Sequence, residues 1–308
     1  MIEQEKEIIP YHRPFSLSEW DREIIKLKIE GILKTRQYTN GIYVREMERT
    51  IKEMYEVEHC IATACCTDAL QLCLSLVRKE VQVPAFNWWS DLHVLNFLKK
   101  KITWNDINLK EWLPYEVFHP ETSLYLHTFG NVGISEFDDV IYDASHCFGS
   151  KFTEIGLATC ISFAPTKLIT AGEGGVILTN DAKFAKKLLD LRDKCSRLME
   201  MNAILFLQLF PYLNEIKHWK NCVYKYYKTH LPGQFQEKAY DHNYNTIGFI
   251  NTEKLKIPEH VETRQYYEPL ERGLPNTDYV YENIICLPSW FGVDYIKIVN
   301  DIKEVNEL

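Results

Sequence analysis

Apolar positions near the start of the chain recur at helical spacing. Trp20, Ile24, Leu27 and the pair Ile32–Leu33 fall on one stripe of a helix running to about Leu33. Ser16-Leu17-Ser18-Glu19 in front of it reads as a capping box, which would satisfy amides that the first helical turn leaves open. Gly31, Asn40 and Gly41 bracket a loop around Gln37-Tyr38-Thr39, and a second amphipathic helix follows over Val44–Tyr55. From residue 60 short apolar runs alternate with helical ones. Strands are expected at Cys60–Ala64, Glu80–Val83, Lys101–Trp104, Ser123–His127, Val140–Asp143, Leu157–Phe163 and Gly175–Thr179, with helices at Asp68–Val77 and Ser90–Leu98. This alternation predicts an α/β domain whose mixed, mostly parallel sheet is flanked by helices.

After about Asp190 the pattern changes. Leu198–Leu213 and Ile216–Leu231 read as helices, the second ended by Pro232-Gly233, and Asn283–Pro288 belongs to a short strand-and-helix unit. The expected division is a large domain over 1–190, including the N-terminal helix, and a smaller C-terminal α+β domain over 191–308.

The formal charge of −8, with no long basic stripe to offset it, argues against a nucleic-acid partner. Nine cysteines lack CxxC pairs and metal-like spacing, so they read as buried free thiols of a reducing compartment. Met1-Ile2-Glu3-Gln4-Glu5-Lys6 lacks the features of a signal peptide, and the apolar stretch Ala203–Phe210 is too short to span a bilayer. The expectation is a soluble cytoplasmic protein with no membrane partner.

Four segments at the ends of expected strands could carry chemistry, because open α/β sheets bind ligands at the carboxyl ends of their strands. Cys66-Thr67-Asp68-Ala69-Leu70 is a strand-to-helix turn whose free amides and Thr67 hydroxyl suit a phosphate; an ordinary threonine cap explains it equally. In Pro84-Ala85-Phe86-Asn87-Trp88-Trp89 an aromatic ring could stack on a heteroaromatic ligand or simply fill a core. Asp143, in Tyr142-Asp143-Ala144-Ser145-His146, ends an apolar run where a carboxylate is costly without a cation; the alternatives are a helix cap for Asp143 and a core histidine for His146. Lastly, Lys167 ends Ser162-Phe163-Ala164-Pro165-Thr166-Lys167, ahead of Gly172-Glu173-Gly174-Gly175. A desolvated lysine on such a turn suits Schiff-base formation with a phosphorylated aldehyde.

The order of these four segments resembles the DegT/DnrJ/EryC1/StrS family of sugar aminotransferases, pyridoxal-phosphate enzymes of aspartate-aminotransferase fold type I. Thr39-Asn40-Gly41 is similar to the family's T-x-G loop, and Thr67-Asp68-Ala69-Leu70 to G-T-x-A-L with Cys66 in place of glycine. Pro84 to Trp88 resemble P-x-x-T-[FW] with Asn87 for threonine. Asp143 to His146 resemble E-D-x-A-[HQ], with Tyr142 for glutamate and Ser145 for alanine. Ser162 through Gly175 resemble S-F-x-x-x-K…G-E-G-G, Arg197 to Ala203 the segment N-y-R-m-s-e-x-x-A-A, and Thr263-Arg264-Gln265-Tyr266-Tyr267 the late T-R-x-Y-Y.

The resemblance implies that Lys167 bonds pyridoxal 5′-phosphate and shuttles a proton, and that Asp143 pairs with the ring nitrogen. It also implies that Trp88 stacks on the ring, His146 lies near its phenolic oxygen, and Thr67, the Asp68 amide and Ser162 bind the phosphate. The implied reaction moves an amino group from glutamate to the keto group of a nucleotide-linked sugar, for polysaccharide or glycoconjugate synthesis, in a homodimer. A related sugar dehydratase would carry histidine in place of Lys167, and a regulatory protein that keeps the cofactor is the other alternative. The stretch between Leu191 and Arg197 is short for the family, and Cys195 stands where its asparagine is expected.

Overall fold

Seven strands form the central sheet in a computed structural model that describes residues 7–115, 122–135, 137 and 139–307. The segment Met1–Lys6, read above for targeting signals, lies outside the described residues. Two helices come first, α1 (Glu19–Thr35) and α2 (Ile42–Tyr55). Then follow β1 (His59–Thr63), α3 (Cys66–Ser75), β2 (Glu80–Pro84), α4 (Trp89–Phe97), β3 (Lys101–Asn105), β4 (Thr122–Leu126), the short β5 (Asn131–Val132), β6 (Val140–Asp143), β7 (Ala158–Ser162) and β8 (Gly175–Thr179). The sheet order is β1-β8-β7-β6-β4-β2-β3. Only β8 runs against its neighbours; the pairs from β7 across to β3 are parallel. The expected mixed, mostly parallel sheet is thus present. Strands β4, β7 and β8 are buried at every position, as strands covered on both faces must be.

Each face has its own core. On one, Val44, Met47 and Ile51 of α2 pack with Phe163 and with Phe206 and Leu209 of α6 (Glu200–Leu209). On the other, Leu70 and Leu74 of α3 and Val94 and Leu95 of α4 meet Leu188 of α5 (Ala182–Cys195). A third core joins α7 (Leu213–His230) and α9 (Tyr295–Asn306) to an antiparallel sheet of β9 (Gln234–Phe235), β11 (Ile247–Ile250) and β12 (Ile284–Leu287). β10 (Asp241–His242) pairs with β5, and α8 (Pro275–Asn283) leads into β12.

Several sequence expectations are corrected. The capping box uses Ser18 and Asp21, not Ser16 and Glu19: the Ser18 hydroxyl accepts the Asp21 amide at 3.1 Å, and the Asp21 carboxylate accepts the Ser18 amide at 3.1 Å. Trp20 and Leu27 do not face the core; they are 68% and 61% exposed. The single helix expected over Leu198–Leu213 ends at Leu209, because Pro211 has no amide to continue it and a 3₁₀ turn over Phe210–Tyr212 intervenes. The nine cysteines are free, as expected, but Cys195 is exposed rather than buried.

One long-range cap fixes the N-terminal helices to the rest. Gly41 caps α2 and has no side chain to do so; instead the buried Glu200 carboxylate accepts the amides of Gly41, Tyr43 and Val44 at 2.8, 3.0 and 3.0 Å. A Cβ at Gly41 would lie 2.5 Å from Glu200 Oε2, so glycine is required by this approach. Glu200→Ala would orphan three amides at a helix start. It is expected to lower unfolding free energy by about 2–4 kcal/mol, read from urea denaturation, whereas an exposed-site control such as Glu23→Ala shifts it by less than about 0.5 kcal/mol.

Candidate active site

Because β1, β2, β6 and β7 run the same way, the segments that leave their carboxyl ends open onto one edge of the sheet. There they border a cavity of about 410 Å³. Thr67, Trp88, Asp143, His146, Ser162 and Lys167 all line it. Residues up to 100 positions apart in sequence are thereby brought together.

The start of α3 follows β1 directly. Cys65 caps it, its sulfur accepting the Asp68 amide at 3.4 Å, while Cys66 and Thr67 occupy the first turn, where amides have no intrahelical acceptor. Asp68 itself does not line the cavity. Its carboxylate accepts the Ser196 hydroxyl at 2.6 Å, and Ser196 Oγ in turn accepts the Ala64 amide at 3.0 Å. The short stretch after α5 is therefore clamped to this turn. Cys195 points away, its thiol donating to Leu191 O at 3.2 Å. Gly175 lets β8 pass close to the turn, since a Cβ there would lie 2.7 Å from the Cys66 nitrogen. Ser162, paired in register with Gly175, faces the same corner with its hydroxyl accepting the Ala164 amide at 3.3 Å.

Asp143 ends β6 and is 2% exposed. Its Oδ1 accepts the Ser145 amide at 2.9 Å, and among the described residues it forms no ion pair with lysine or arginine. Beside it stands a second buried carboxyl, Asp91 of α4, which sequence reasoning did not single out. Asp91 Oδ2 has no hydrogen-bond partner, and Asn87 Nδ2 is likewise orphaned. Burial and the adjoining Asp143 push the Asp91 carboxyl far above the usual range; burial also raises Asp143, opposed by the Ser145 hydrogen bonds and by Lys167. Of the two, Asp91 is pushed further up, which favours its neutral form beside Asp143.

Lys167 sits on a turn closed by its amide donating to Ala164 O at 3.1 Å. Burial pulls its amine down to about 8, with Cys66 and Asp143 acting in the opposite direction. Asn202 of α6 braces the following loop by donating to Ala171 O and Glu173 O at 2.7 and 3.0 Å. Trp88 caps α4, lines the cavity and is 41% exposed, while Tyr266 and Tyr267 meet its ring edge-on. His146 Nδ1 lies 3.3 Å from the Tyr267 hydroxyl, and burial holds the imidazole neutral.

Three further residues were missed from sequence. Tyr267 was noticed only as part of a motif. His12 approaches from the N-terminal segment, its Nε2 2.9 Å from Pro165 O. Lys220 enters from α7, donating to Asn245 O at 2.9 Å and Ser289 Oγ at 2.8 Å. A lysine in a helix ordinarily reads as a solvated face, so nothing short of tertiary structure could have moved it into the site.

The described residues suit a pyridoxal phosphate. Two buried carboxyls, one with an orphaned oxygen, line the cavity without an ion pair among the described residues, a part-exposed tryptophan adjoins them, the first turn of α3 offers amides, and a desolvated amine completes the set.

Comparison with known proteins identifies the family. The model of the DegT/DnrJ/EryC1/StrS aminotransferase family matches residues 20–117 and 139–303. A UDP-N-acetyl-3-dehydro-alpha-D-glucosamine 3-aminotransferase of Acidithiobacillus ferrooxidans is 26% identical over 329 residues, covering 87% of this chain and 89% of that protein. A UDP-2-acetamido-2-deoxy-3-oxo-D-glucuronate aminotransferase of Pseudomonas aeruginosa is 27% identical over 190 residues, and the match spans about half of either chain, 53% of each. Among solved structures, S. venezuelae DesV superposes with a TM-score of 0.86 at 18% identity, covering 98% of this chain and all of that one. With a cavity built from the family's motifs and a family match along most of its length, this chain belongs to the DegT/DnrJ/EryC1/StrS aminotransferase family.

Proposed function

We propose that this protein uses pyridoxal 5′-phosphate to move an amino group from glutamate to the keto group of a nucleotide-linked sugar, in the synthesis of polysaccharides or glycoconjugates. The observation that carries this reading is the meeting of a lowered lysine amine with a carboxylate that lacks a cation in one cavity. Relatives acting on UDP-linked sugars support the substrate class.

When bound, the cofactor supplies an electron sink that stabilises negative charge on the amine-bearing carbon. The protein's share is positioning and proton handling. Lys167 Nζ would be the group that holds the cofactor's aldehyde carbon and, as a free amine, the group that would carry a proton at the reacting carbon; burial, which lowers it to about 8, suits both roles. Asp143 holds the ring nitrogen protonated. Thr67 at the start of α3 and Ser162 at the end of β7 would hold the phosphate, the expected Asp68 amide being taken up by the Cys65 cap, and Trp88 would lie against the ring. His146, neutral and fixed by Tyr267, faces the phenolic oxygen.

A homodimer belongs to this reading. Trp20, Leu27 and Leu33 of α1 and Ile42 of α2 leave large apolar surfaces uncovered, which supports a second copy there. So does the division into units 1–190 and 191–308, supported by a third core whose fully buried residues all follow position 220, with Ile9 packed against it. No helix among the described residues is long and apolar enough to cross a membrane, and nine free thiols favour the cytoplasm.

The test is spectroscopic. Protein incubated with pyridoxal phosphate and dialysed is expected to keep a visible absorption band, and glutamate is expected to discharge it. Alanine in place of glutamate discharges it more slowly. A protein that stays colourless ends the cofactor assignment; a band that glutamate leaves intact ends the donor assignment.

A further inference from the structure

Lys220 has no place in the roles assigned so far. Its side chain is buried, at 8% exposure for the residue, yet both its acceptors are uncharged: the Asn245 carbonyl and the Ser289 hydroxyl. No carboxylate among the described residues pairs with it, and burial alone accounts for the fall of its amine to about 7. A buried ammonium without an anion is costly, and two neutral hydrogen bonds recover only part of that cost. Two of its three protons are engaged, and Lys220 lines the cavity beside Asn245, Thr246, Ser289 and Trp290.

Its surroundings narrow the anion. His12 and His146, bases held neutral by burial, are lowered further by Lys220 and Lys167. Tyr11 and Lys167 line the same cavity and Arg13 the space adjoining it, and the cavity's carboxyls, Asp91, Asp143 and Glu173, form no ion pair with Lys220. The ring phosphate already has the α3 start, Thr67 and Ser162. A nucleotide diphosphate calls for several cations, whereas an enclosed lysine with one proton to spare matches a single carboxylate.

We propose that Lys220 binds a carboxylate of the amino-acid donor, with the Ser289 hydroxyl beside it, and so selects an acidic or α-carboxylate donor over a plain amine. The proposal rests on the aminotransferase reading above. Lys220 is then a specificity-determining residue, and its burial without an anion is what makes donor binding favourable.

The protein loaded with pyridoxal phosphate provides the test, with discharge of the visible band followed against glutamate concentration. Lys220→Met is expected to raise the half-saturating glutamate concentration roughly 100-fold, as loss of a charge-assisted hydrogen bond does, and to cut the preference for glutamate over a short alkylamine by the same factor. Lys220→Arg is expected to restore most of it. In the unaltered protein, the preference for glutamate over the alkylamine is expected to fall as pH rises through about 7 to 8, because the ammonium loses its proton while both donor carboxylates stay ionised and either donor must shed an amine proton alike. This pH series needs no variant and stands even if Lys220→Met folds poorly. An unchanged glutamate dependence in Lys220→Met, or a flat pH series, overturns the proposal. Loss of pyridoxal phosphate from Lys220→Met at unchanged melting temperature also overturns it, by assigning the lysine to the phosphate. Failure of the unaltered protein to capture pyridoxal phosphate is a different result and removes the reading beneath it.

Discussion

Lys167→Ala is expected to abolish covalent capture of pyridoxal phosphate and to reduce amino transfer by a factor on the order of 10⁴ or more, since both the nucleophile and the proton carrier are removed. Borohydride reduction followed by peptide mapping reads the first effect, and single-turnover kinetics reads the second. The pH dependence carries its own sign. Only the unprotonated amine attacks, and burial brings Lys167 down to about 8, so the rate of capture by the unaltered protein should rise with pH and level off above that value. Lys167→Arg keeps a cation on the turn but cannot act as the nucleophile, so it should fold and still fail to form the adduct. The cavity contains a rival, because the Lys220 amine is lowered further, to about 7. Geometry favours Lys167, whose turn leaves the end of β7 beside Ser162, whereas Lys220 is tied to Asn245 and Ser289. An adduct mapped to Lys220 in the unaltered protein would refute the assignment.

What could be read from the chain follows from how local each signal is. Strand-end segments such as Asp143–His146 and Ser162–Lys167 declare themselves because an apolar run stops at a polar residue, and the parallel sheet then places those ends on one edge. Residues that enter from elsewhere carry no such mark. Asp91 lies in the first turn of α4, where an acid ordinarily just answers the helix dipole; only the folded chain brings it beside Asp143 as a second carboxyl. The helix pattern gave α1 its period but not its outward face, because Trp20 and Leu27 look the same in sequence whether they meet a core or a partner.

The segment Arg197–Ala203 shows the same limit from another side. As a motif it could be matched but not explained. In the fold, Glu200 caps α2 through the loop at Thr39–Gly41, and Asn202 braces the loop after Lys167, so one short stretch holds two distant motifs in place. Ser196 just before it fastens the start of α3 through Asp68. Cys195, next to this scaffold, takes no part in it and is exposed.

Asp143→Ala is expected to lower the rate of amino transfer by about 10³-fold, the scale seen when a preorganised charge is removed from a buried site. It should also shift the pH at which the bound chromophore titrates. Asp91 lies close enough to invite the idea that it would substitute. The direction of the two shifts argues otherwise: burial and the adjoining Asp143 push Asp91 far up and favour its neutral acid form, and a neutral acid beside Asp143 lowers that carboxylate's basicity. An amide has the same shape and the same donor, so Asp91→Asn should cost less than about tenfold. Asp91→Leu removes the donor, leaves Asp143 more basic, and should move the chromophore's titration to higher pH. In the double variant Asp91→Leu/Asp143→Ala the two effects should not add, because the first acts only through the second. If Asp91→Asn proved as damaging as Asp143→Ala, the charge would belong to Asp91 and the proton to Asp143, and the electrostatic roles drawn for this site would have to be exchanged.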